Sequence, residues 1–489
     1  MAENFARRLE ASSRRTPDKP ALVWDGGALT FGELDQRASA LAGALAARGV
    51  KPADRIALTI GNHWAFAVAL LAGWKVGATV APLDTLLKLE ERADILADLA
   101  PSAVIDEPDA AGGLGPGGSS GLRMGLGGPT PLTEAPPPLR PEPGHAALIL
   151  YTSGSTGRPK GAVLSHSALE LAIESWAGPV MALTSGDVVL ATLPLAHSFG
   201  LNGALLAPLL VGATVALVER FAPDRVVEAI RSHRVTVFPG VATMFRRLLD
   251  APELGGAELG SVRIAVSGAA PCPWELAERW RGRTGIRIVR GYGMTELFRP
   301  ISYQAANPTE SPDAIGWPVP GVEIRVVDDA GRGVAPGEAG ELWIRSPSAM
   351  DAYINAPDET REVLVEGWFR TGDLATVSAE GLVTIVGRKR ERILRGGHSV
   401  FPPEVEAVLL THPAVAEAAV LGMPHPELGE DVAAFVTLRP GVTAGPDELI
   451  AHCRDRLAAF KYPRRLTVLD VLPRAATGKI LKSRLMMLL

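Results

Sequence analysis

The sequence predicts an α/β protein with a large N-terminal domain of helix-covered, mainly parallel sheets, a β-rich subdomain attached to it, and a small α+β C-terminal domain. Three observations predict it. From Arg55 to Val289, short apolar or β-branched runs alternate with helical stretches, the pattern of parallel strands joined by crossover helices. Beyond Val319 the strands come closer together and turns separate them. After the basic segment Gly387-Arg-Lys-Arg-Glu-Arg392 a separate short α+β pattern begins.

A helix over 31–48 is specified at both ends. Thr30 and Glu33 stand at capping-box spacing, Leu34, Ala38, Leu41 and Leu45 share one face, and Gly49 stops it. Strands follow at Arg55–Ile60, Thr79–Ala81, Ala103–Asp106, Ala147–Tyr151, Val188–Thr192, Thr214–Val218, Val235–Phe238, Arg263–Val266 and Arg287–Val289. Between Asp187 and Glu219 no formally charged residue occurs, which raises the question of a membrane span. Pro194, Gly200, Asn202, Gly203, Pro208 and Gly212 break that stretch into strand, helix (201–211) and strand, so no span is expected. From about 107 to 144 the chain turns to Gly, Pro and Ser, a composition that cannot supply a packed core and reads as a surface loop or linker. The β-rich part, about 320–386, carries strand patterns at Val322–Val327, Glu341–Arg345, Trp368–Arg370 and Leu382–Val386. Helices are expected near Pro403–Leu410 and Pro446–Ala459, and the domains divide as 1–386 and 387–489.

Composition removes several functions. The chain has 489 residues, 47% of them apolar and 21% charged, which excludes a disordered or collagen-like protein. Its 49 basic residues against 54 acidic ones leave a net charge of −5, so nucleic acid is not expected as a partner. Cys272 and Cys453 have no ligand spacing, which points to a reducing compartment without a disulfide framework or zinc site. The start, Met1-Ala-Glu-Asn-Phe, lacks a basic region followed by an apolar run, and a cytoplasmic protein is expected.

The strongest local signal is Tyr151-Thr-Ser-Gly-Ser-Thr-Gly-Arg-Pro-Lys-Gly161, directly after an apolar strand. Gly154 and Gly157 let backbone N–H groups turn toward an anion, hydroxyls of Thr152, Ser153, Ser155 and Thr156 add donors, and Lys160 adds charge. The loop is suited to phosphates. It is not a Walker loop, since the glycine spacing differs and Gly161 follows the lysine.

With Gly291-Tyr-Gly-Met-Thr-Glu296, Trp368-Phe-Arg-Thr-Gly-Asp373, Gly387-Arg388 and Pro473-Arg-Ala-Ala-Thr-Gly-Lys479, this loop resembles the adenylate-forming superfamily of acyl-CoA synthetases, adenylation domains and luciferases. The motifs run in family order over nearly the whole chain. The resemblance implies an AMP-forming carboxylic acid–CoA ligase using ATP, Mg²⁺ and CoA. A carboxylate is a poor acyl donor and must first become a mixed anhydride, and the barrier to its attack on the α-phosphorus is largely the meeting of two anions.

By resemblance, the small domain is mobile and Lys479 supplies the cation that bridges carboxylate and α-phosphate. Glu296 is implied as the Mg²⁺ ligand, Thr295 as a phosphate donor and Tyr292, flanked by Gly291 and Gly293, as the ring stacked on adenine. Gly268, Ala269 and Ala270 would line the adenine site and one wall of the acyl pocket, Asp373 would accept the ribose hydroxyls, and Arg388 would contact the ribose side. Lys389 and Arg390 fall at the family's hinge, where Arg390 departs from the usual Asp or Lys, and with Arg392 they are expected to be solvated. His197 matches a gate near the substrate carboxylate, and is equally readable as a hydrogen-bonded core histidine. Gly396 and Gly397 match the passage for pantetheine, or simply form a turn.

Specificity is thinner. Malonate-type relatives carry an arginine where this chain has Gly291, which disfavours a small dicarboxylate. Trp176, Val241, Met244 and Phe298, with His197 and Gly268, make a mostly apolar pocket suited to a fatty, alicyclic or aromatic tail; Arg299 is the exception in that segment, readable as simply facing solvent. Free CoA is the expected acceptor. A carrier-protein pantetheine remains the alternative, and a non-catalytic nucleotide-binding regulator is the alternative of another class, opposed by the presence of Lys160, Glu296, Asp373 and Lys479. Family habit adds a homodimer.

Overall fold

Thr30 caps the helix Phe31–Ala47 reciprocally: the Glu33 N–H donates to Thr30 Oγ1 at 3.1 Å and the Thr30 N–H donates to Glu33 Oε2 at 2.8 Å. Thr30→Ala is expected to cost about 1 kcal/mol, read as a lower urea midpoint at unchanged slope, with Thr30→Ser close to the parent. An unshifted alanine variant would mean that tertiary packing alone holds this helix.

This computed structural model describes residues 4–106, 122–125, 145–153, 159–251, 259–307, 310–474 and 480–489. The predicted strands assemble into two seven-stranded sheets. One runs in the order Ile288–Val289, Ile264–Ser267, Val237–Gly240, Val188–Ala191, Thr214–Leu217, Pro20–Trp24, Gly27–Thr30, parallel except at the last pair. The other runs Ala352–Tyr353, Pro159–Ser165, Ala146–Ser153, Thr79–Pro82, Arg55–Thr59, Ala103–Asp106, Leu122–Gly125, with parallel pairs from Ala146–Ser153 onward. Helices cover them, and Phe238, Phe245 and Trp280, fully buried with ring centroids 5.0–6.2 Å apart, anchor one core.

The uncharged stretch becomes strand, helix and strand as expected, but its helix starts as a π-helical segment, Gly200–Leu206, and turns α-helical only over Ala207–Val211. Among the described residues no helix is long and apolar enough to cross a membrane. Leu122–Gly125 forms an edge strand inside the expected linker; the rest of 107–144 lies outside the described residues.

The chain parts into two compact units, 1–323 with 344–369, and 324–343 with 370–489. The sequence boundary at Gly387 falls inside the second unit, because Trp368–Val377 pairs with Val383–Arg388 from Asp373 to Val377 and so ties residues beyond Arg370 to the tail. That unit has its own sheet: His398–Val400, Ile393–Arg395, Gly429–Leu438 and Val415–His425 in order, with Arg465–Val468 beside Gly429–Leu438. Helices Pro402–Leu410 and Pro446–Arg454 cover it and bury Val405, Leu409, Leu449 and Cys453.

Candidate active site

The flanks of the glycine-rich segment pair as antiparallel strands. Tyr151 faces Gly161, Thr152 faces Lys160 and Ser153 faces Pro159 across Ala146–Ser153 and Pro159–Ser165, so the flanks of the predicted phosphate loop are held in register. Gly154, Ser155, Thr156 and Gly157 lie outside the described residues, as does Lys479. A Cβ on Gly161 would come within 2.7 Å of Ile149 and 2.8 Å of Ile354, so glycine is what lets the paired strands sit this close to the next segment.

Two predicted site residues gather around a tyrosine that sequence reasoning missed. Tyr353 donates its hydroxyl to Glu296 Oε1 at 2.8 Å, and the Lys160 ammonium lies 5.5 Å from the Tyr353 ring centroid and 3.9 Å from Glu359. Burial, then the Glu296 charge, push the phenol pKa up, so Tyr353 stays a protonated donor at neutral pH. Only the pairing of Ala352–Tyr353 with Pro159–Ser165 brings it here, and no motif spacing marks that pairing. Glu296 itself is half-exposed, and its backbone carbonyl accepts from the Met350 N–H at 2.8 Å.

Gly291–Met294 forms a strand against Phe298–Ser302, and the turn between them presents Thr295 and Glu296. Glycine is required at 293, where a Cβ would stand 2.0 Å from the Phe298 carbonyl oxygen. Phe298 is buried in the left-handed region at φ 55°, a strained conformation for a bulky residue. Tyr292 is half-exposed, and after the strand Ile264–Ser267 the loop buries Gly268 and exposes Ala269 and Ala270.

On the predicted acyl side, Trp176 is buried and stacks on Phe199 with centroids 5.2 Å apart, while Val241 and Met244, at the start of the helix Ala242–Leu249, are half-buried. Arg299 corrects the expectation of a solvent-facing residue: it is 5% exposed and its guanidinium carbon lies 4.9 Å over the Trp176 ring. The residues expected on the acyl side therefore pack around a buried cation. The His197 Nε2 lies 2.8 Å from Asp84 Oδ2, and this hydrogen bond, the largest influence on Asp84, draws that carboxyl below its ordinary pKa. An ionised Asp84 holds the histidine in its Nε2–H form. Buried Asn62 fixes the turn that carries His197. Its amide nitrogen donates to Leu193 at 2.8 Å and to Ala191 and Val218 at 3.3 Å, and its oxygen accepts from the Leu195 N–H at 3.0 Å.

In the second unit, Asp373 and Arg388 face each other across paired strands, with Arg388 Nε 3.3 Å from Asp373 Oδ1. The Asp373 side chain is 8% exposed and that of Arg388 40%, and Thr371 Oγ1 accepts from the Asp373 N–H at 3.0 Å. The expected solvated face at 389–392 is instead partly paired: Lys389 meets Glu341 at 2.9 Å and Asp329 at 3.2 Å, and Arg392 meets Asp329 at 3.5 Å. Acidic residues distant in sequence partner Lys389 and Arg392, while Arg390 stays exposed. Gly396 and Gly397, at φ 54° and 84°, make the two-residue turn of the hairpin Arg395–His398, a conformation that favours glycine at both positions. Among the described residues no cluster of three His, Cys, Asp or Glu could hold a metal by itself.

The AMP-binding enzyme family matches residues 9–354, and the AMP-binding enzyme C-terminal domain matches 404–479. The chain belongs to that family. A feruloyl-CoA synthase of Amycolatopsis sp is 37% identical over 484 residues, 96% of each chain. A 3-[(3aS,4S,7aS)-7a-methyl-1,5-dioxo-octahydro-1H-inden-4-yl]propanoyl:CoA ligase of Mycobacterium tuberculosis (strain ATCC 25618 / H37Rv) is 35% identical, covering 98% of this chain and 97% of that one. Among solved structures, ATP-bound MatB from Rhodopseudomonas palustris superposes with a TM-score of 0.91 at 30% identity, covering 100% of this chain and 99% of that chain. The protein is accordingly an ATP-dependent, AMP-forming acid–CoA ligase of the adenylate-forming superfamily, as the five motifs implied.

Proposed function

We propose that this ligase activates a ring-bearing or fatty carboxylic acid as its acyl-adenylate and transfers the acyl group to free CoA, with the site residues in the roles the motifs imply. The observation that carries this reading is the convergence of Lys160 and Glu296 on Tyr353, next to the accessible Gly291–Glu296 turn. Lys160 attracts the phosphates, and Thr295 donates to them. Glu296 offers Mg²⁺ a half-exposed carboxylate that Tyr353 engages at Oε1. Lone carboxylate ligation fits a cation that completes its shell with phosphate oxygens and water, where it would neutralise charge on the departing pyrophosphate.

Tyr292 stacks on adenine, the small residues 268–270 admit its edge, and Asp373 with Arg388 holds the ribose. His197, steadied by Asp84, stands over the substrate carboxylate as its gate, and Lys479 is the cation for the first half-reaction. Gly396 and Gly397 border the path of the thiol. The ring systems in the acyl groups of those two relatives favour a ring-bearing acid here. The proposal includes a cytoplasmic location and a homodimer.

The test is acid-dependent exchange of labelled pyrophosphate into ATP over a panel of aryl, alicyclic and straight-chain acids, followed by CoA or a pantetheinylated carrier protein. Exchange with at least one ring-bearing acid and thioester on CoA are expected. Thioester on the carrier alone would reassign the acceptor, and no exchange with any acid would end the proposal.

A further inference from the structure

Arg299 is a buried cation with no carboxylate in contact among the described residues; Glu310, already engaged by Arg287 and Arg290, acts on it only from a distance. Its Nε–H donates to Ser302 Oγ at 2.9 Å, Nη1 to the Ser267 carbonyl at 2.9 Å and Nη2 to the Val289 carbonyl at 3.3 Å. A guanidinium has five N–H groups, so these neutral acceptors leave two to be satisfied. Neighbouring Arg290 shows the contrast: it is equally buried and is paired with Glu310 at 2.8 Å.

The position of the charge is as informative as its lack of a contacting counter-ion. A Cβ on Gly291 would lie 2.5 Å from Arg299 Nη2 and one on Gly268 would lie 3.1 Å from Nη1, so the guanidinium fills the space a side chain at 291 would need. Trp176 lies under the same group, and the Phe199 ring approaches within 3.0 Å of a Cβ placed on Gly268. Arg299 is therefore packed among the residues that the ligase reading assigns to the wall of the acyl pocket. Apolar side chains would serve that wall at lower cost, because an unpaired buried charge is expensive and π stacking offsets only part of it.

We propose that Arg299 selects the substrate, donating to an oxygen acceptor on the tail of the carboxylic acid: a ketone or a second carboxylate. The proposal rests on the ligase reading above and narrows it. Gly291 does not then exclude a dicarboxylate, since a cation reaches the same place from residue 299. A pocket donor that is satisfied only by the right tail discriminates strongly against an acid without that oxygen, because the wrong tail leaves the donor unpaired.

The experiment compares straight-chain alkanoates with their matched ω-1 ketones and their α,ω-dicarboxylates at several chain lengths, by pyrophosphate exchange in the intact enzyme and in Arg299→Met and Arg299→Lys. The parent is expected to favour an oxygenated tail by about 10–10²-fold in kcat/KM at its best length. Arg299→Met should reduce that preference to about one through loss on the oxygenated acid, and Arg299→Lys should retain part of it. The ketone and dicarboxylate arms identify which oxygen is preferred. Preference for the plain alkanoate at every length in the parent overturns the proposal, and this arm stands even where a variant fails to fold. Equal loss on all acids in Arg299→Met overturns it too, by making the residue a structural brace. Exchange with ring-bearing acids but with none of these oxygenated tails also overturns the proposal, whereas no exchange with any acid, ring-bearing ones included, is the different result that ends the proposed function above.

Discussion

Lys479→Ala is expected to lower acid-dependent pyrophosphate exchange by about 10³-fold, while transfer to CoA from a supplied acyl-adenylate stays close to the parent rate. The magnitude follows from the obstacle in the first step. A carboxylate and an α-phosphate brought to about 4 Å repel by about 4 kcal/mol at an effective dielectric of about 20, and each 1.36 kcal/mol is about tenfold in rate. A cation between them removes most of that repulsion. The second step joins a thiol to a neutral mixed anhydride carbonyl and has no such repulsion to overcome, so the alanine should spare it. Equal loss in both half-reactions, or survival of both, would refute the role given to Lys479.

Glu296→Gln is expected to lower exchange by about 10²–10³-fold, and Tyr353→Phe by about tenfold, with a raised Mg²⁺ requirement in both. The amide keeps the shape of Glu296 and its acceptor for the Tyr353 hydroxyl, but removes the charge that a hard cation needs. Phenylalanine removes the donor that orients the carboxylate at 2.8 Å, leaving the charge in place. The two changes should therefore separate in a Mg²⁺ titration: Glu296→Gln resists rescue at high Mg²⁺ and Tyr353→Phe is largely rescued. An unaltered Mg²⁺ dependence in Glu296→Gln would move the metal to other ligands.

The local signals of the fold were legible. Thr30 and Glu33 announce a capping box that forms atom for atom, and strands such as Ala103–Asp106 fall where β-branched runs predict them, because both depend on neighbours in sequence. Motifs also located the Gly291–Glu296 turn and the opposed Asp373 and Arg388. Long-range pairing was not legible. Tyr353 reaches Glu296 through an edge strand, Asp84 reaches His197 across 113 positions, and Glu341 neutralises Lys389 across 48. Arg299 was misjudged for a related reason: an isolated arginine reads as exposed, and only the missing side chains at Gly268 and Gly291 make room to bury it.

Asn62 has a practical consequence for altering which acid is accepted. Because one amide clasps Ala191, Leu193, Leu195 and Val218, the backbone beneath His197 and Phe199 is secured from outside the stretch that bears them. Libraries randomising Phe199, Val241 or Met244 can thus be built on a frame that does not depend on those side chains, provided Asn62 is left alone.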